Sequence, residues 1–333
     1  MWFKNLQLYR LTDLAKLNAE QLDAELQKRA FVPLGKSDKL AAGWIPPASH
    51  APDLFAYPGS GAMLIALKTE EKLLPSSVVK EMADERIADI EARELRKVGK
   101  KETKEIRERV AEELLPRAFS RSRVLRALID FEAGWIWVDS PTPAKAELLI
   151  QLLRETLGSL PCKLPQTQLD PVTAMSTWLE HGAPRNFTLD ADCVLKAPGD
   201  GGAQVTCRRH DLGSDEVKQH LKTGKLVTQL ALSWDDRLAF VLTDKLHIKR
   251  LAFLELLEDQ IKDANAEDAA AMFDTSFTLL AQEGRGLVNA VIEALGDELG
   301  EMQSPAAPAP APGPAVALES KPAAPNDPVD VPW

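Results

Sequence analysis

Hydrophobic and polar positions alternate at the start of the chain, where Trp2, Phe3, Leu6, Leu8 and Leu11 are set among polar residues. That is the period of a half-buried strand. The run TDLAKLNAEQLDAELQKRAF changes to helical spacing, with Leu14, Leu17, Leu22 and Leu26 apolar and Thr12 or Asn18 available as an N-cap. GWIPPASH reads as a turn-rich connection. Residues 62–67 are continuously apolar, as in a buried strand, and their segment ends at Pro75. A long charged stretch, 76–115, has the character of helix and is interrupted at KVGKK around Gly99. Helix, glycine turn, helix is the pattern of a helical hairpin. VLRALIDFEAGWIWVDS predicts two strands meeting at the turn Glu132-Ala133-Gly134, and PAKAELLIQLLRETLGSLP predicts an amphipathic helix closed near Gly158.

After Pro165 a second unit begins. PVTAMSTWLEHG predicts a helix ending at Gly182, and ADCVLKAP with AQVTCRRHD predicts strands around the tight turn at 199–202. In SDEVKQHLKTG, Ser214 sits at the N-cap position and Gly224 lies just past the end. LVTQLALSW, LAFVLTD and HIKRLAFL read as three further strands, with helices from 254 to 300. Both halves mix antiparallel-type strands with helices, so the expected class is α+β: mixed antiparallel sheets with helices and an inserted helical hairpin. From Ser304 the composition changes: nine of the chain's 23 prolines fall in residues 304–333. A Pro/Ala-rich run buries too little apolar surface to offset its ordering, so a disordered C-terminal tail is expected.

Charge sharpens the picture. The 333-residue chain carries a formal charge of −10, which removes any general attraction to nucleic acid. Yet Arg117, Arg121, Arg123 and Arg126 form a run with no acid between them. Just before it, residues 93–109 hold eight basic residues, among them Arg96, Lys97, Lys100 and Lys101, against four glutamates. Smaller patches are Arg208-Arg209-His210 and the run HIKR at 247–250. Such density suits polyphosphate, since each contact neutralises a backbone charge and releases counterions. The alternative for 76–115 is a solvated face laced with i,i+4 ion pairs. Phe119, set among the arginines, reads as a core residue, a stacking platform or an oligomer contact, with core the favoured place.

The chemistry of enzymes is not visible. Phosphate-loop, nucleophile-elbow and zinc-protease motifs are absent, and the five histidines are scattered. Cys207 and His210 supply only two potential metal ligands, so neither a metal nor a cofactor is expected. The odd count of three cysteines suits a reducing cytoplasm. No run of about 18 apolar residues suggests a membrane span, and the first residues lack the apolar core of a signal peptide.

Taken together, WFKNLQLYRL, GWIPP, EEKLLPSSVVK, LLPRAFSR, LLRETLGSLP, RRHDL, GKLVTQLALSW and KRLAF resemble the bacterial recombination-associated RdgC family over roughly residues 1–300. The resemblance implies a ring-shaped homodimer with a positively charged central hole through which duplex DNA passes, bound without sequence preference. It implies restraint of the RecA recombinase through occupation of DNA, and so association with the nucleoid; the residues themselves give the expectation of a cytoplasmic protein that is not an enzyme. It divides the chain into a central domain (1–75 and 116–167), a helical tip (76–115) and a base domain (168–303), followed by the tail (304–333). It places Phe119 at a ring-closing contact and Arg208, Arg209 and His210 beside the hole. With it, Arg96, Lys97, Lys100, Lys101, Arg117, Arg121 and Arg123 become candidate DNA contacts. An interaction scaffold built on the charged hairpin, with DNA binding incidental, is the other reading. The tail closes with NDPVDVPW, which resembles the acidic, aromatic tail tip of bacterial single-strand DNA-binding proteins. Trp333 is thereby a candidate peptide ligand for DNA-processing proteins, the plainer reading being a solubilising tail.

Overall fold

The strands of the computed structural model are β1 (Asn5–Leu11), β2 (Leu40–Ile45), β3 (Ala56–Gly59), β4 (Ala62–Leu73), β5 (Phe119–Asp130), β6 (Trp135–Val138), β7 (Cys162–Lys163), β8 (Phe187–Lys196), β9 (Gln204–Cys207), β10 (Leu226–Trp234), β11 (Leu238–Thr243) and β12 (Ile248–Phe253). These twelve pair into one sheet, in the order β2-β4-β5-β6-β1-β12-β11-β10-β8-β9, with β3 on β4 and β7 on β1. The structure describes residues 3–13, 19–199, 201–254 and 268–299. Every named ladder is antiparallel, and with its helices the fold is α+β. The strands expected for two units are joined by β1 (Asn5–Leu11). Its carboxyl-terminal part pairs with β6 (Trp135–Val138) and its first residues with β12 (Ile248–Phe253). The chain up to Glu298 is one compact unit.

Alternation along the strands builds a core on each side of the first half of the sheet. Leu6, Leu8, Leu64, Leu128 and Trp137 point to one side, that of α7 (Ala269–Ala294), while α5 (Pro171–His181) joins the same core against β10. Tyr9, Leu11, Ile65, Ile129 and Val138 point to the other, under α1 (Ala19–Lys28) and α4 (Pro143–Leu157). The 26-residue α7 lies close to the sheet because of its small residues. A Cβ added at Gly284 would stand 2.8 Å from the Trp137 ring.

Several elements differ from the sequence expectations. GWIPPASH was expected as a connection, but its first residues belong to β2 (Leu40–Ile45), paired with β4 (Ala62–Leu73). There the Gly43 backbone passes so close to Phe31 that a Cβ would meet its Cα at 2.4 Å, while buried Trp44 donates its indole N–H to Thr156 at 2.9 Å. β4 continues past its apolar part to Leu73, and β5 (Phe119–Asp130) starts five residues before Val124. The two pair along twelve residues, so polar positions are carried as strand. Between them lie α2 (Ser76–Glu94) and α3 (Lys100–Leu114), the expected hairpin. Its left-handed residue is Leu95, at φ 49°, whereas Gly99 is the extended residue before α3. Ser214 stands at the N-cap position of α6 (Asp215–Lys222), but its side chain makes no capping hydrogen bond and its hydroxyl is buried without a partner. Thr12 donates its hydroxyl to the Pro161 carbonyl at 3.2 Å, and Asn18 lies outside the described residues. So do residues 255–267 of the helical stretch expected at 254–300, and the tail expected at 304–333 with Trp333.

Candidate nucleic-acid interface

The second half of the sheet has its apolar side on α5 and α7, where Cys193, Leu195, Leu230, Leu232, Phe240 and Leu242 are buried. By alternation the opposite side carries Asp192 and Val194 from β8 (Phe187–Lys196), Thr206 from β9 (Gln204–Cys207), Gln229 from β10 (Leu226–Trp234) and Val241 from β11 (Leu238–Thr243). With Arg208 and Arg250 these residues line a shallow cavity of about 200 Å³.

Asp192 organises the basic residues here. It accepts the Arg209 backbone N–H at 2.9 Å and the Arg250 guanidinium at 2.9 Å. Both arginines reach it from left-handed backbone, φ 50° at Arg209 and φ 52° at Arg250, the latter beside a ladder irregularity opposite β11. The Arg209 N–H, then Arg250, hold the Asp192 carboxyl below its ordinary pKa, so it stays charged. One carboxylate is thus spent on a backbone amide and one guanidinium. The exposed side chains of Arg208 and Arg209 have no ion pair among the described residues. His210 is turned elsewhere: its Nδ1 lies 3.0 Å from the Asp211 carbonyl and its Nε2 3.5 Å from Glu216 of α6. His247 of the HIKR run has its pKa pushed down to about 4 by burial and by Lys249 and Lys245. At neutral pH it adds no positive charge.

The arginine run sits on a different element. Residue parity along β5 places Phe119, Arg121 and Arg123 on one side, in line with Ala127 and Ile129, and Arg126 on the other, in line with Leu128. The run without acids in the sequence meets acids across the ladder. Glu71 is opposite Arg121 and accepts from its Nε at 3.1 Å, which lowers the Glu71 pKa. Arg117, in a short 3-10 turn at Leu115–Arg117, and Arg123 have no ion pair among the described residues. Arg126 is half-buried, with its Nε lacking a hydrogen-bond partner. Phe119 is 84% exposed, which removes it from the core that composition favoured. Its ladder partner Leu73 is exposed as well.

The hairpin cations are mostly paired within the hairpin. Arg96 bridges Glu94 and Glu102, each at 2.7 Å, Lys97 meets Glu91 at 3.0 Å, and Arg107 lies 3.7 Å from Asp84. Lys100 and Lys101 are exposed and have no ion pair among the described residues. The candidate residues therefore fall on three separate elements: the hairpin apex, the start of β5 and the β9 edge of the sheet. Asp192 and Arg250 were missed by the sequence reading as a pair, because 58 positions separate them. The only signal was Arg250's place in HIKR.

The comparisons agree with the resemblance. A family model described as "RdgC: Putative exonuclease, RdgC" matches residues 1–298. The recombination-associated protein RdgC of Laribacter hongkongensis is 47% identical over 298 residues, covering 90% of this chain and 99% of its own length. The protein of that name from Dechloromonas aromatica is 44% identical over 305 residues, with the same shares covered. That of Pseudomonas aeruginosa is 39% identical over 300 residues, 90% of this chain and 98% of the relative. With a family model over nearly the whole described fold and relatives of this identity, the chain belongs to the RdgC family.

Proposed function

We propose that this chain binds duplex DNA without sequence preference in the control of recombination, as a ring-shaped homodimer that restrains the RecA recombinase by occupying DNA. The observation that carries the DNA reading is the basic site around Asp192, where the side chains of Arg208 and Arg209 are exposed and make no ion pair among the described residues. A duplex offers one negative charge per ~1.7 Å of axis, and guanidinium groups bind phosphate oxygens through paired hydrogen bonds. In a chain of net charge −10, segregated arginines confine DNA attraction to chosen surfaces while the rest repels it. The names of the relatives support a role in recombination, and the family resemblance supports ring closure through Phe119. Location at the nucleoid follows from DNA binding, and no helix among the described residues is long and apolar enough to cross a membrane.

Binding rather than cleavage is our reading, although the family description includes the word exonuclease. Metal-dependent cleavage of phosphodiesters draws on clustered acids that hold the ions. The residues assigned here are instead cations, which bind phosphate without supplying such a cluster.

Replacing Arg208 and Arg209 together by alanine tests the assignment. Binding should weaken to a similar degree on duplexes of unrelated sequence, because phosphate contacts carry no base information. The slope of log affinity against log salt should become shallower by about one for each phosphate that the variant no longer neutralises. A double variant that binds as tightly as the parent, or that begins to discriminate between sequences, contradicts backbone contact at this site.

A second reading is favoured by the ion pairs of the hairpin. Since Arg96, Lys97 and Arg107 already have carboxylate partners, α2 and α3 suit a protein-interaction arm better than a phosphate-binding one. The two readings occupy different elements and are compatible.

A further inference from the structure

Two of the chain's three cysteines meet at the end of the sheet. Cys193 of β8 and Cys207 of β9 are direct partners in the antiparallel ladder. Both side chains therefore leave the sheet on the same side, toward the core that holds Leu195 and Leu212. Directly opposed residues of an antiparallel pair stand about 4.5 or 5.5 Å apart at Cα, and a disulfide spans about 4.4–6.8 Å. Both are free thiols, Cys193 buried and Cys207 half-buried. The two sense each other: burial, then Cys207, pushes the Cys193 thiol up to about 12. Cys162 is held elsewhere, on β7 beside β1 and against the other core.

The place of β9 lets a bond close there. It has four residues and ends the strand order, paired with β8 alone, so it approaches β8 without pulling a further strand. Exposure assigns the roles. Cys207, the accessible thiol, meets the oxidant, and buried Cys193 resolves the product. With hydrogen peroxide, the Cys207 sulfur takes one oxygen to become a sulfenic acid, and the other oxygen leaves as water. The Cys193 sulfur then attacks the Cys207 sulfur. The S–O bond breaks, and the departing hydroxide takes the Cys193 proton as a second water. Two thiols have lost two electrons and two protons, and one peroxide is reduced to two waters.

We propose that Cys193 and Cys207 form a peroxide-responsive modification site, closing to a reversible disulfide that fastens β9 to β8. The consequence reaches the basic pair. Asp192 directly precedes Cys193, Arg208 directly follows Cys207, and the Arg209 N–H is bonded to Asp192. Oxidation therefore fixes the backbone from which Arg208 and Arg209 project. A small thiol reopens the bond by exchange, as suits a reducing compartment, where disulfides are transient. The thiol pair stands whether or not those arginines meet DNA.

The test treats the folded full chain with a modest excess of hydrogen peroxide, removes the peroxide, unfolds the chain in iodoacetamide and maps its peptides by mass spectrometry. The expected product is a cross-link between Cys193 and Cys207 within one chain, monomeric on a non-reducing gel and lost on adding dithiothreitol. Cys162 should be recovered alkylated. Cys193→Ser should leave Cys207 as a sulfenic acid that dimedone captures, and Cys207→Ser should leave Cys193 an unoxidised thiol. Hydrogen exchange of the β9 amides in the parent should slow by about tenfold or more on oxidation, as local opening of that strand is suppressed. The parent alone decides the main result. The proposal is overturned if peroxide leaves both thiols free, or if Cys207 is oxidised to sulfenic or sulfinic acid while Cys193 stays reduced. It is equally overturned if the cross-link joins two chains or reaches Cys162. Unchanged exchange in the cross-linked protein overturns the fastening of β9.

Discussion

Replacing Arg285 by alanine is expected to cost about 3–5 kcal/mol of fold stability, the range for removing one partner of a buried ion pair. Asp130, at the end of β5, is fully buried. Its carboxylate accepts Arg285 Nε at 2.8 Å and Nη2 at 2.9 Å, and also the backbone N–H groups of Glu132 at 3.0 Å and Ala133 at 3.1 Å. The same guanidinium donates to the Ser60 carbonyl at 2.9 Å and pairs with Glu132. One side chain from α7 thus ties the β3–β4 turn to the β5–β6 turn. Without it, a wholly buried carboxylate keeps two backbone donors but loses its counter-charge, and the desolvation cost is no longer offset. Urea unfolding of the parent and of Arg285→Ala checks this, and adding Asp130→Asn should cost much less than the sum of the two single changes. A loss below about 1 kcal/mol for Arg285→Ala, the size of an exposed pair, would show that the network contributes little.

Truncating Phe119 to alanine should do the opposite: leave the monomer's stability within about 0.5 kcal/mol, as for other exposed positions, and weaken self-association. At 84% exposure the ring has little packing to lose within its own chain. Leu73, its exposed partner across the ladder, extends an apolar patch at the end of the long β4–β5 ribbon. An aromatic anchor at the centre of such a patch costs about 2 kcal/mol or more when removed, roughly a thirtyfold change in the association constant. Sedimentation over a range of concentrations, alongside thermal melting, reads both quantities. A variant that associates like the parent would take Phe119 out of the interface.

How far these features were legible in the sequence depended on whether their cause is local. The hairpin helices were, because helical spacing and a break near Gly99 are short-range signals, although the left-handed residue is Leu95. Strand β2 was not: Leu40, Ala41, Ala42 and Gly43 have no strand character of their own, and they are held by pairing with Glu71, Glu70, Thr69 and Lys68 of β4. The arginine run stood out for lack of acids, but sequence cannot show that Glu71 lies opposite Arg121. The basic pair Arg208-Arg209 was visible. The carboxylate that positions its backbone was hidden in β8, since Asp192 gains its meaning only when Arg250 and Arg209 are folded onto it.

The central claim, a surface that holds duplex DNA through its phosphates, is tested most directly by a salt titration of binding to one linear duplex. The account predicts that log affinity falls linearly with log salt. For about 6–10 phosphate contacts the loss between 50 and 200 mM is about 10³–10⁵. The same slope should be found on a second duplex of unrelated sequence. An affinity that stays flat across that range would contradict phosphate binding, and with it the role assigned to the arginines around Asp192.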